Sequence, residues 1–180
     1  MVVRVLDYGM GNLRSVERAL QAVGATVEVT SDVGGDALVL PGVGAFAEAV
    51  RRLGPRMDEL RTYDRPLLGI CLGMQLMFER SHEHGVTEGL GLLEGEVVAI
   101  PEAHVTVPNM GWHMLNGLGS PFVYFAHSFA VERCAHATAT FHHGQPWVAA
   151  VQRGSVTGFQ FHPEKSGKAG LKLLHRWVTA

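Results

Sequence analysis

Gly69, Cys71 and Gly73 stand in the order G-x-C-x-G at the end of an apolar run, a spacing that suits a nucleophile on a sharp strand-to-helix turn. The backbone at such a turn is strained, and side chains two positions away on either side would collide. Glycine at both flanks removes the collision. The sulfur of Cys71 then sits at the start of a helix, where the dipole and free N–H groups favour thiolate. The alternative for this segment alone is a buried cysteine before a glycine-rich helix, since free cysteine packs well in cores.

A thiolate nucleophile needs a base, and the base needs an orienting partner. The segment FQFHPEKSG, 159 to 167, offers both in His162 and Glu164. Pro163 holds His162 extended, and residues two apart in extended chain share a side. Glu164 can then hold one imidazole nitrogen while the other faces the sulfur. By itself the segment reads as a surface His-Pro-Glu turn; beside the G-x-C-x-G turn it reads as the rest of a triad. Acyl transfer also requires donors for a tetrahedral oxyanion. The N–H of Leu72, directly after the cysteine, is one candidate. The Val43–Gly44 stretch of PGVG, 41 to 44, is the other, because a glycine turn after a strand brings backbone close to a ligand.

These segments must be positioned by a framework, and the first half of the chain supplies a regular one. Val2 to Leu6 reads as a buried strand, followed by a helix with Leu13, Val16, Leu20 and Val23 at helical spacing and Asn12 as N-cap. Thr26 to Val29 and Ala37 to Leu40 read as strands, and a helix presenting Phe46, Ala49, Val50 and Leu53 follows PGVGAF. Pro66 to Ile70 is a further strand, with a helix expected from Leu72 to about Arg80. Such alternation predicts a mostly parallel sheet flanked by helices. In the second half, Glu96 to Ile100, Val123 to Ala126, Ala135 to Phe141, Val148 to Val151 and Val156 to Phe161 read as strands with few helices between them. Some pairing there is therefore expected to be antiparallel. A last helix is expected to use Leu171, Leu174 and Trp177. The fold class is thus mixed α/β, with residues 1–180 expected as one domain whose central strand ends meet at one crevice.

The composition agrees with a protein that has a core and no charged partner surface. Of 180 residues, 47% are hydrophobic and 18% charged, with a formal charge of -2 and a pI near 6.5. That gives no electrostatic footprint for nucleic acid or an anionic membrane. No apolar run approaches a membrane span and no signal peptide is visible, so a cytoplasmic location is expected. Two cysteines make no disulfide framework, and Cys134 reads as a core thiol. His82 with His84, and His142 with His143, lack the partner ligands of a zinc site, so no metal is expected. The GMGN turn after Tyr8 lacks the third glycine of a dinucleotide fingerprint.

Taken in order, DYGMGNLRSV (7 to 16), PGVGAF, GICLGMQL (69 to 76), PNMGW (108 to 112), YFAHSF (124 to 129) and FQFHPEKSG resemble the triad-type, class I glutamine amidotransferase family across nearly the whole chain. Within that family, the resemblance to the glutaminase subunits of imidazole glycerol phosphate synthase is close. It implies a flavodoxin-like fold and no cofactor. It implies Cys71 as nucleophile, His162 as base and then acid, and Glu164 as orienter. Gln75 and the backbone around Ser128 and Phe129 would hold the amino-acid end of glutamine, with Gly44 beside the reacting amide and a mobile Val43–Gly44 peptide completing the oxyanion hole. Trp112, Tyr124 and Lys165 would lie toward a (β/α)₈-barrel cyclase subunit that uses the ammonia in histidine biosynthesis, forming a heterodimer. The PGVG and Gly-Trp segments argue against a glutaminase of another pathway, such as pyridoxal phosphate or anthranilate synthesis. The intact triad argues against a non-catalytic binding subunit of the same fold. One departure is present: the family usually has asparagine after the Gly-Trp pair, and this chain has His113.

Overall fold

The tetrapeptides ALVL and LLGI are buried at every residue, as a parallel strand between two helical layers must be. In the computed structural model, which describes residues 1–103 and 105–180, they are neighbours at the centre of an eight-stranded sheet. The chain runs β1 (Val2–Leu6), α1 (Leu13–Ala22), β2 (Thr26–Thr30), β3 (Ala37–Leu40), α2 (Phe46–Leu53), α3 (Arg56–Arg61), β4 (Leu67–Ile70) and α4 (Leu72–Leu76). It continues through β5 (Phe78–Ser81), β6 (Thr87–Glu88), β7 (Leu93–Ala99), β8 (Asn109–Met114), β9 (Asn116–Gly117), β10 (Phe122–His127) and β11 (Phe129–Val131). It ends with β12 (Ala137–His143), β13 (Gln145–Arg153), β14 (Val156–Phe159), a 3₁₀ turn (Pro163–Lys165) and α5 (Gly167–Val178).

The main sheet has the order β2-β1-β3-β4-β14-β13-β12-β9. Its β2 to β14 portion is parallel, and β13, β12 and β9 extend it antiparallel. This is the expected mixed, mostly parallel sheet. Side chains alternate between two cores. Val3, Val5, Val39, Leu68 and Ile70 pack with Val16 and Leu20 of α1 and Leu173 and Leu174 of α5. Leu38, Leu40 and Leu67 point the other way, onto Phe46, Ala49 and Leu53 of α2 and Met57 and Leu60 of α3. Helices therefore cover both faces. Asn12 caps α1, its Oδ1 accepting from the Ser15 N–H at 3.4 Å. Two smaller sheets stand apart: β8 with β10, and β11-β7-β5-β6. Among the described residues, no helix is long and apolar enough to cross a membrane.

Several expected boundaries move. The helix expected to reach Arg80 stops at Leu76, because backbone carbonyls of Leu76, Met77 and Phe78 are taken by the amides of Leu90, Leu93 and Gly91 at 2.7, 3.0 and 3.1 Å. Those bonds start β5, so tertiary pairing overrides the local helical pattern. The strand expected to run to Phe161 ends at Phe159, and α5 buries Gly170, Leu173 and Leu174, with Leu171 and Trp177 only partly covered.

Candidate active site

The C-terminal ends of β1, β3, β4 and β14 converge, and each releases a chemically active segment. At the end of β4, Cys71 has φ 54° and ψ -111°, a left-handed conformation rare outside glycine. Its flanks have no room for side chains. A Cβ on Gly73 would lie 1.8 Å from the Leu40 carbonyl oxygen, and one on Gly69 would lie 2.7 Å from the Gly73 backbone. For Gly69 the collision lies within the turn, as inferred from sequence; for Gly73 it is with the backbone of β3. The helix that follows is only five residues long, so the dipole behind the sulfur is that of little more than one turn.

His162 leaves β14 in an extended conformation, φ -98° and ψ 96°. Glu164 is not extended, as expected, but lies in the 3₁₀ turn begun by Pro163. The contact forms nonetheless: His162 Nδ1 lies 2.8 Å from Glu164 Oε1, and both side chains are almost wholly buried. Glu164 Oε2 is buried and has no hydrogen-bond partner among the described residues. The turn is clamped from behind by Ser166, whose hydroxyl donates to His162 O at 2.6 Å and accepts from the Tyr124 N–H at 2.9 Å. His162 has its pKa raised to about 9. Burial pulls it down, but the hydrogen bond to Glu164 and the nearby Cys71 sulfur, with the negative charge of both, outweigh that.

The sulfur itself lies 3.8 Å from the Ala126 carbonyl oxygen and 3.8 Å from Gln160 Nε2. An aligned Cys71–His162 bond is not among the resting contacts, although the ring is near enough to feel the sulfur. Such bonds are often loose before substrate is bound. Tyr8 arrives from the end of β1, buried, and donates its hydroxyl to Pro41 O at 2.7 Å. Burial first, and the charge of Cys71 second, push its phenol pKa up.

Cys71 opens onto a cavity of about 640 Å³, within the ~300–1,000 Å³ typical of small-molecule sites. Val43, Gly44, Leu72, Gln75, Ser128 and Phe129, all singled out from sequence, line it. Gly44 has φ +105°, and Val43 is exposed at the rim. His162 and Glu164 stand behind the cavity wall rather than on it. Trp112 is exposed on β8 and packs edge-to-face against Tyr124 of β10, ring centroids 6.0 Å apart. Lys165 is exposed at the end of the 3₁₀ turn. His113, the departure from the family pattern, faces inward: its Nε2 lies 2.7 Å from Asn109 Oδ1, and its ring packs against Phe125, Phe141 and His143.

Three buried polar residues escaped the sequence reading. Gln160 is fully buried and meets both Gln75 and the sulfur. His127 lines the cavity and Asn109 is buried behind it, His127 Nδ1 donating to Phe129 O at 2.8 Å and Nε2 facing Asn109 Nδ2 at 3.1 Å. The signal for Gln160 was present, since a glutamine inside an apolar strand, two residues before His162, shares its side. His82 is engaged with Glu96 at 2.7 Å, and His143 with Thr106 O at 2.9 Å.

The family model for glutamine amidotransferase class-I matches residues 4–179. The chain belongs to that family. Among curated relatives of this amidotransferase, the imidazole glycerol phosphate synthase subunit HisH of Exiguobacterium sibiricum is 48% identical, over 98% of this chain and 94% of that one. The subunit of the same name from Methanosarcina barkeri is 41% identical, over 97% and 96%. A solved structure described as a glutamine amidotransferase superposes over the full length of both chains with a TM-score of 0.75 at 22% identity, a likeness of fold.

Proposed function

We propose that residues 1–180 act as one cytoplasmic glutaminase domain that hydrolyses glutamine to glutamate and passes ammonia to a (β/α)₈-barrel cyclase subunit making imidazole glycerol phosphate in histidine biosynthesis. The observation that carries this reading is the strained Cys71 turn, open on one side to a cavity with room for glutamine and backed by the His162–Glu164 pair. The names of the relatives support the pathway.

The Cys71 thiolate attacks the side-chain carbonyl carbon of glutamine, and the carbonyl electrons move onto oxygen. The N–H of Leu72 and a donor from the Val43–Gly44 peptide stabilise that oxyanion. Collapse breaks the C–N bond as His162 protonates the leaving nitrogen, giving ammonia and a γ-glutamyl thioester. His162 then takes a proton from water, the hydroxide displaces the thiolate, and glutamate leaves. Glu164 keeps the imidazole in one tautomer and stabilises its cation. Gln75 and the Ser128–Phe129 backbone hold the amino-acid end.

The partner face follows from the β8–β10 ribbon. Met110, Trp112 and Met114 are exposed on β8, opposite Ala126, Tyr124 and Phe122 on β10. Met110 also lines the cavity, so this apolar face reaches the site. An exposed run of this kind marks an interaction surface. The test is steady-state glutamine hydrolysis by the lone chain, by its complex with the barrel subunit, and by that complex with an acceptor analogue. A Val43–Gly44 peptide that turns its N–H inward only in the loaded complex predicts rising rates, with the oxyanion donor worth ~10²–10³. Cys71→Ala should abolish hydrolysis and leave ammonia-dependent product formation intact. Glutaminase activity surviving in that variant would defeat the assignment.

A further inference from the structure

Gln160 has one side-chain oxygen and one side-chain nitrogen, and both are engaged in the buried floor of the site. Gln75 Nε2 donates to Phe129 O at 2.9 Å and to Gln160 Oε1 at 3.0 Å. The carbonyl of Phe129 can only accept, so it fixes which end of the Gln75 amide is nitrogen. The Gln160 atom facing that nitrogen must then be oxygen, and its own Nε2 is turned to the Cys71 sulfur at 3.8 Å. Flipping either amide would set donor against donor or oxygen against sulfur. Both hydrogens on Gln75 Nε2 are thereby used. Its Oε1 receives no bond from any described residue, and Gln75 lines the cavity, so that oxygen is the acceptor left for a substrate ammonium.

We propose that Gln160 is a positioning residue which ties substrate recognition to the nucleophile, fixing the Gln75 amide through its oxygen and the Cys71 sulfur through its nitrogen. The glutamine half of this inference rests on the glutaminase reading above. The sulfur half stands on the contacts alone. Its burial is complete, and neither partner can be replaced by water without opening the core. Tyr8, from the end of β1, and His162, from the exit of β14, also sense the charge of the sulfur, and a substitution at Gln160 alters neither side chain.

The experiment is alkylation by iodoacetamide at fixed pH, followed on the Cys71 peptide by mass spectrometry, with glutamine added as a protecting ligand. Gln160→Met removes both contacts. Alkylation should slow about tenfold as the sulfur loses a donor, and the glutamine concentration giving half protection should rise about tenfold as Gln75 is left with an unsatisfied N–H. Gln160→Glu keeps the acceptor for Gln75 and loses the donor to sulfur. It should slow alkylation similarly while half protection stays within about threefold of the parent. A merely structural role would move both readouts together in the two variants. Cooperative melting of either variant with unchanged alkylation and protection overturns the proposal, as does equal loss of glutamine protection in both. Should glutamine fail to protect the parent itself, the glutaminase reading fails, and the alkylation rates still decide the sulfur contact.

Discussion

Lowering the pH from 7 to 4 should cost this protein stability through one histidine. His127 is buried, and its pKa is lowered to about 4, first by burial and then by the positive charge of His162, His143 and His113, against a raising contribution from its bond to Phe129 O. In the unfolded chain the same imidazole takes its proton near 6.5. Between those values the unfolded state binds more protons, so stability rises with pH there. The contribution is fully present above 6.5 and is lost as pH falls toward 4. A separation of about 2.5 pH units, at about 1.4 kcal/mol each, gives about 3.5 kcal/mol in full, a large part of the ~5–15 kcal/mol that holds a domain folded. Urea denaturation followed by fluorescence of the fully buried Trp147 measures it at successive pH values. Carboxylates also titrate in this range, so the informative quantity is the difference from His127→Asn, whose Nδ2 takes the place of the Nδ1–H that donates to Phe129 O. The parent should lose about 3 kcal/mol more than the variant between pH 6.5 and 4. Parallel curves would refute the argument. His162 gives the mirror image: its pKa is raised to about 9, so its contribution is complete below 6.5 and disappears as pH rises through 9.

Cys134→Ala should leave glutamine turnover near the parent value, with a stability cost of about 1 kcal/mol in urea titration, because this half-buried thiol packs at the edge of the core away from the cavity. Glu164→Gln should lower turnover at least tenfold while Cys71 remains open to alkylation; a collapsed melting transition would instead make Glu164 structural. Gly73→Ala should destabilise the chain by about 3–5 kcal/mol by thermal or urea melting, since its Cβ cannot occupy a position 1.8 Å from Leu40 O without moving the turn. Trp112→Ala should weaken binding to the proposed barrel subunit by about 2 kcal/mol in calorimetry and leave the melting temperature of the lone chain nearly unchanged, because the residue is 55% exposed.

The parts legible in the sequence were those whose cause is local. ALVL and LLGI announce themselves as buried strands by their short continuous apolar runs, and G-x-C-x-G announces the turn, because the collision that excludes a side chain at Gly69 is with Gly73. What could not be read depends on partners distant in the chain. Nothing in LGMQLMFER ends the helix at Leu76; the amides of Leu90, Gly91 and Leu93 do so by capturing its carbonyls. Segment NMGWHM alternates as a strand should, yet its larger apolar side faces outward, with Met110, Trp112 and Met114 exposed and Asn109 and His113 turned inward. That inversion fits the partner face proposed above. His113, where the resemblance leads one to expect asparagine, is directed to Asn109 and the aromatic cluster beneath, so this departure lies on the floor of the ribbon and not on the exposed side that carries Met110, Trp112 and Met114.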